Sequence, residues 1–80
     1  MPTVLTHGPY RVYFFSNESH EPPHVHVDRD DLSAKFWLRP IRVARNFGFA
    51  WHELRRIQDL IQEHEQSLLG AWNDHFGRGN

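Results

Sequence analysis

His24 and His26, in the run Pro22-Pro23-His24-Val25-His26-Val27, are the side chains best spaced to do chemistry together. On an extended strand, residues i and i+2 project from the same side with Cα atoms about 6–7 Å apart, so both imidazoles can meet one ligand. Near neutral pH one imidazole can take a proton while the other gives one, and metal-free cleavage of RNA asks little more of its acid and base. Lys35 supplies an ammonium suited to the negative charge that develops on phosphorus. His24, His26 and Lys35 are therefore the candidate catalytic residues. Trp37 offers a ring on which a base can stack, and Arg39, Arg45 and Asn46 offer donors for phosphate, the last two just before a helix start. These four are the candidate substrate-binding residues.

The same histidines admit other readings. Two neutral imidazoles could hold a divalent metal, with Asp28, His7 or His20 completing the shell. Lys35, placed opposite His26, opposes this because an ammonium repels a cation, so neither metal nor cofactor is expected. The plainest alternative makes them ordinary strand residues packed beside Trp37. His64 lies on a helical apolar stripe and reads as a core histidine satisfied by a hydrogen bond. His52 and His75 read as solvent-facing, and Glu53 reads as complementing a helix dipole. No Gly-rich phosphate loop, Ser-His-Asp arrangement or repeat is present.

The elements that must position these groups are legible from periodicity. Thr3-Val4-Leu5 reads as a short edge strand, followed by a turn at Gly8-Pro9. Residues 10–16 form a second strand, apolar on both faces and hence central. Residues 16–21 are a polar loop, and Pro22-Pro23 keeps the chain extended into a strand over 24–29. A second strand over 33–39 follows across Asp30-Asp31-Leu32, giving a hairpin. Pairing Val25 with Phe36 and Val27 with Ala34 gathers the apolar residues on one face; it then sets His26 beside Lys35 and His24 beside Trp37 on the other. Residues 41–44 read as another short strand, and Asn46-Phe47-Gly48 as a turn needing positive φ.

From Trp51 to Phe76 the residues Leu54, Ile57, Ile61, His64, Leu68, Trp72 and Phe76 keep one stripe at helical spacing. One continuous helix of roughly 39 Å is expected, with Gly70 costing about 1 kcal/mol and Ser67 to Gly70 the place for any break. So long a helix overhangs a small sheet, which makes Leu68, Trp72 and Phe76 candidate partner-binding residues. Gly77 stops it, and the last three residues are expected to fray. The expected fold class is α+β, a small antiparallel sheet of three to five strands followed by one long C-terminal helix. Residues 1–80 form a single domain, 1–49 the sheet part and 50–77 the helix.

Composition bounds the function. Eighty residues suffice for one core. The absence of cysteine excludes disulfides, thiol nucleophiles and cysteine-held metal centres, and points to a reducing, cytoplasmic setting. No stretch has the look of a targeting or membrane-spanning segment. The net charge of −1 argues against strong general nucleic-acid binding. It conceals a basic window, however, since Lys35, Arg39, Arg42 and Arg45 have no acidic residue between Leu32 and Asn46, while both flanks are net acidic.

Four motifs resemble those of a bacterial family. Pro22-Pro23-His24-Val25-His26-Val27, Ala34-Lys35-Phe36-Trp37-Leu38, Ala44-Arg45-Asn46-Phe47-Gly48-Phe49 and Ala71-Trp72-Asn73-Asp74-His75-Phe76-Gly77 are similar in order and spacing to domain-of-unknown-function family 4160. Ala50 departs from it, standing where such proteins usually have a Ser at the helix start. The resemblance implies a toxin-like member of a two-gene toxin–antitoxin module, whose cognate antitoxin belongs to family 2442, so an oligomer or hetero-complex is expected. It carries over no catalytic residues. The leading expectation is a type II toxin that binds this antitoxin and acts as a metal-independent ribonuclease. The alternative is a non-enzymatic protein- or nucleic-acid-binding module, and a metal-dependent hydrolase ranks third.

Overall fold

The computed structural model describes residues 3–15 and 20–77. Most of the loop expected over 16–21, and the three terminal residues expected to fray, lie outside the described residues. Five strands, β1 (Thr3–His7), β2 (Tyr10–Tyr13), β3 (His24–Arg29), β4 (Leu32–Leu38) and β5 (Ile41–Phe47), form one antiparallel sheet in the order of the chain. Two helices follow, α1 (Trp51–Glu63) and α2 (Glu65–Phe76).

The β3–β4 register follows from alternation alone. Val25 pairs with Phe36, Val27 with Ala34, His26 with Lys35 and His24 with Trp37, as expected. A one-residue slip would move every valine to the polar side, so burial of one face fixes the pairing. Arg29 pairs with Leu32, which leaves Asp30 and Asp31 to make the turn, Asp30 at φ 56. Aspartate tolerates that conformation better than most residues. The last strand is longer than the expected 41–44. It runs to Phe47 because Asn46 closes its end, the side-chain amide donating to Phe49 O at 2.9 Å while Phe49 N donates back to Oδ1 at 3.0 Å. Gly48 then turns the chain at φ 111, where a Cβ would lie 2.5 Å from Leu32 Cδ2. Only glycine suits both the angle and the gap.

Val12, Val25, Val27, Ala34, Phe36 and Leu38 are each 1% exposed or less and face the helices, meeting Ile57, Leu60, Ile61 and Leu68. Each full burial of such a side chain is worth about 1.5–3 kcal/mol, so this layer dominates stability. Ala50 is the N-cap of α1 and makes no side-chain cap bond.

The single long helix is corrected to two. The break falls at His64, not between Ser67 and Gly70, and Gly70 sits inside α2. His64 leaves helical geometry at φ −110, ψ 19. Its ring Nδ1 lies 3.0 Å from Leu60 O, and its backbone N–H is shared between Leu60 O and Ile61 O. A side chain competing for the i−4 carbonyl bends a helix in this way. The stripe nevertheless keeps its phase across the bend, since Leu68 N donates to His64 O at 3.0 Å. The expected overhang is corrected as well. A straight helix of about 39 Å would exceed the 36 Å longest dimension of the molecule. The bend instead folds Leu68 and Trp72 into the chain's own core, at 1% and 5% exposure, and leaves Phe76 half-buried.

Glu53 does more than complement a dipole. Its carboxylate accepts from Arg29 Nε at 2.6 Å, Arg29 Nη2 at 2.8 Å and Tyr10 Oη at 2.7 Å, clamping the start of α1 to β3 and β2. The Arg29 hydrogen bonds, then that from Tyr10, hold its pKa at about 2 instead of 4.5. Burial first, and the carboxylate second, push the Tyr10 hydroxyl above its ordinary value. A carboxyl that ionises more readily in the folded than in the unfolded chain stabilises above its unfolded pKa and ceases to do so as it protonates. The melting temperature should therefore fall as pH drops from 4.5 towards 2, and Glu53→Gln should flatten that fall. Parallel slopes for parent and variant would remove the clamp from the account of acid stability.

Candidate functional site

The face of the sheet turned away from the core carries Arg11 and Tyr13 from β2, His26 and Asp28 from β3, and Ser33, Lys35 and Trp37 from β4. Its β4 residues are half-buried and alternate with the buried Ala34, Phe36 and Leu38. The register extends it across β5, with Arg45 opposite Lys35, Arg42 opposite Trp37 and Phe47 opposite Ser33.

His24 is placed otherwise. Alternation assigns it to this face, yet it is 0% exposed. Its ring packs against Trp72 at 5.0 Å and Trp37 at 5.8 Å, and Nδ1 lies 3.0 Å from Pro22 O. The C-terminal part of α2 thus closes over the start of β3, through a residue no local pattern connects to it. His26, half-buried, stands 5.2 Å from the His24 ring. It is stacked on Tyr13 at 5.3 Å and set edge-on to Phe15 at 4.9 Å. The two imidazoles are neighbours, but only His26 reaches the surface.

Lys35 lies opposite His26 and has a partner that sequence reasoning missed. Its Nζ donates to Glu21 Oε1 at 2.6 Å and stands 4.7 Å over the Trp37 ring. The same Glu21 oxygen is 3.8 Å from His24 Nδ1. The available signal was an acid three residues before His24 with Pro22-Pro23 between them, because a stiff dipeptide fixes where the carboxylate can reach. Asp28 is also engaged, accepting from Tyr13 Oη at 3.1 Å and from Arg11 Nη2 at 3.5 Å. Burial, followed by the Asp28 hydrogen bond, raises the Tyr13 pKa. Arg11 sits 4.6 Å over the Tyr13 ring. Asp28 is therefore committed to Tyr13 and Arg11. His7 packs instead near His64, with ring centroids 6.0 Å apart. Among the described residues no group of three His, Asp or Glu could hold a metal ion.

Of the candidate substrate-binding residues, Trp37 is half-buried on the open face, and Arg39 and Arg45 are exposed. Asn46 is the clasp on Phe49, so its amide serves the backbone. The apolar stripe offered to a partner is occupied internally: Trp72 packs on Phe14, His24 and Phe76, and Phe76 on Phe14. Phe15 and Phe47, 39% and 59% exposed, are the most exposed aromatics of this face among the described residues.

The model of the family described as Domain of unknown function (DUF4160) matches residues 10–73, well over half of the chain. The chain belongs to the DUF4160 family. The match begins at β2 and ends within α2, so this DUF4160 chain has its open sheet face and the helix that buries His24 inside the family region. No curated protein and no solved structure matches it significantly. Among the described residues of this DUF4160 protein, no helix is long and apolar enough to cross a membrane.

Proposed function

We propose that this chain is a cytoplasmic, toxin-like protein of a two-gene pair whose working surface is the open sheet face, on which single-stranded RNA stacks. The observation that carries the RNA half is the combination on one face of Tyr13, Phe15, His26, Trp37 and Phe47 with Arg11, Lys35, Arg42 and Arg45. Rings set among cations bind unpaired bases by stacking while the cations meet phosphate; Phe15 and Phe47 are exposed for this, His26 and Trp37 are half-buried, and Tyr13 lies beneath them, buried. The pairing with a cognate antitoxin of the 2442 family rests on the family resemblance.

The pairing of His26 with Lys35 favours a further step, metal-independent cleavage. His26 would take the proton of a 2′-hydroxyl as its oxygen attacks phosphorus, and Lys35 would stabilise the added negative charge. The bond to the 5′-oxygen breaks, and that oxygen takes a proton from solvent. His24, buried behind His26, is a positioning residue in this scheme.

Fluorescence anisotropy with a labelled single-stranded RNA tests the binding. Trp37→Ala is expected to weaken it by roughly 5- to 150-fold, the equivalent of about 1–3 kcal/mol for one stacked base. Salt dependence should be modest because Arg11 and Lys35 already face carboxylates. RNA binding unchanged in a Trp37→Ala, Phe15→Ala double variant would move the site off this face. For the pair, expression of the chain alone should slow growth and the neighbouring gene should relieve it; harmless expression would overturn the toxin reading.

A further inference from the structure

β5 is an outer strand of the described sheet, so one side of its backbone faces away from β4. It is also where the basic window lies, with Arg42 and Arg45 both exposed on the strand and Arg39 in the turn before it. The register jumps between Lys35 and Phe36, leaving Ala44 as an extra residue on β5. Such bulges and cationic side chains are how a sheet edge rejects other edges like itself. Two copies meeting along β5 would bring Arg42 and Arg45 of each against the other. β1, the opposite outer strand, carries neither lysine nor arginine and none of the large exposed apolar residues.

Charge therefore selects the occupant. Arg42 and Arg45 lie on the open-face side of β5, paired with Trp37 and Lys35, while Val43 points the other way and is 37% exposed. Trp51, 69% exposed, follows at the start of α1. An added strand would need acidic side chains on the open-face side and apolar ones on the helix side.

We infer that β5 accepts an extended acidic segment of another protein as an additional strand, its carboxylates on Arg42 and Arg45 and its alternate apolar residues over Val43. Main-chain hydrogen bonds supply the affinity of such an addition, and the alternating side chains supply its specificity. The inference rests on the partner half of the proposed function and does not depend on RNA.

The test uses a synthetic peptide of alternating glutamate and valine, seven residues long like β5, titrated into the intact chain with backbone amide exchange read by NMR. Binding should slow exchange at β5 amides and weaken with salt. A version N-methylated at alternate residues, unable to complete the ladder, should bind at least about tenfold more weakly. Arg42→Glu with Arg45→Glu should lose the glutamate peptide and gain its lysine counterpart, a swap that an unfolded variant cannot produce. Equal binding of glutamate and lysine peptides to the parent chain, equal binding of the N-methylated peptide, or protection at β1 would each overturn the inference. If β5 binds the peptide while the neighbouring gene product fails to bind the chain, the partner reading has failed and the edge inference stands.

Discussion

Trp72→Ala should remove a large share of the chain's stability. Trp72 is 5% exposed, and its ring meets Phe14 at 5.3 Å, His24 at 5.0 Å and Phe76 at 4.3 Å. Truncation of a buried tryptophan costs about 3–5 kcal/mol. A chain of 80 residues has roughly 4–12 kcal/mol in total. The loss also removes the lid on His24 and uncovers the aromatic layer beneath α2. Urea unfolding followed by far-UV circular dichroism gives the number, and a midpoint within experimental scatter of the parent would mean that α2 is anchored elsewhere.

The second large effect separates two histidines that look equivalent in the sequence. His24→Ala should destabilise by about 2–4 kcal/mol, because it opens a cavity at a fully buried position and leaves Pro22 O without its ring partner. His26→Ala, at a half-buried position, should cost only about 1 kcal/mol. The functional order is the reverse. The folded His26 variant should lose RNA binding or cleavage in proportion to its missing ring, while any folded fraction of the His24 variant should keep most of the binding. Unfolding curves and RNA titrations on both proteins check this together. A His26 variant with parental RNA binding and cleavage, or a His24 variant with parental stability, contradicts the assignment.

The hairpin was legible because period-two alternation is a local property. Once Val25 and Val27 must be buried, the partners of His24 and His26 on β4 are determined. What lies over a residue is not local. Alternation projects His24 from the open face, and nothing near it in the chain announces that Trp72 covers it. Its nearest neighbours make Glu53 a dipole complement, whereas its partners, Arg29 and Tyr10, are 24 and 43 residues away. The bend at His64 was hidden for a different reason. The apolar stripe passes through it without losing phase, and periodicity reports which side faces inward without reporting whether the axis is straight. Gly70 marks the place where sequence alone would put a break in the continuous helix it predicts, but the helix bends at His64, whose ring competes for the Leu60 carbonyl. The open face was legible as residue types and not as a surface, because Lys35 and Asp28 turn out to be engaged by Glu21, Tyr13 and Arg11.

The bend at His64 divides the chain's response to thermal fluctuation. α1 is riveted to the sheet at its first turn by Glu53 and along its length by Ile57 and Ile61. α2 holds on by Leu68 and Trp72, beyond a point where the ladder is already shared between two carbonyls. Partial opening of a native protein follows such seams, with each unit exchanging its amides at its own rate. The last helix can thus peel away while the sheet and α1 persist, and that excursion lifts Trp72 off the His24 ring.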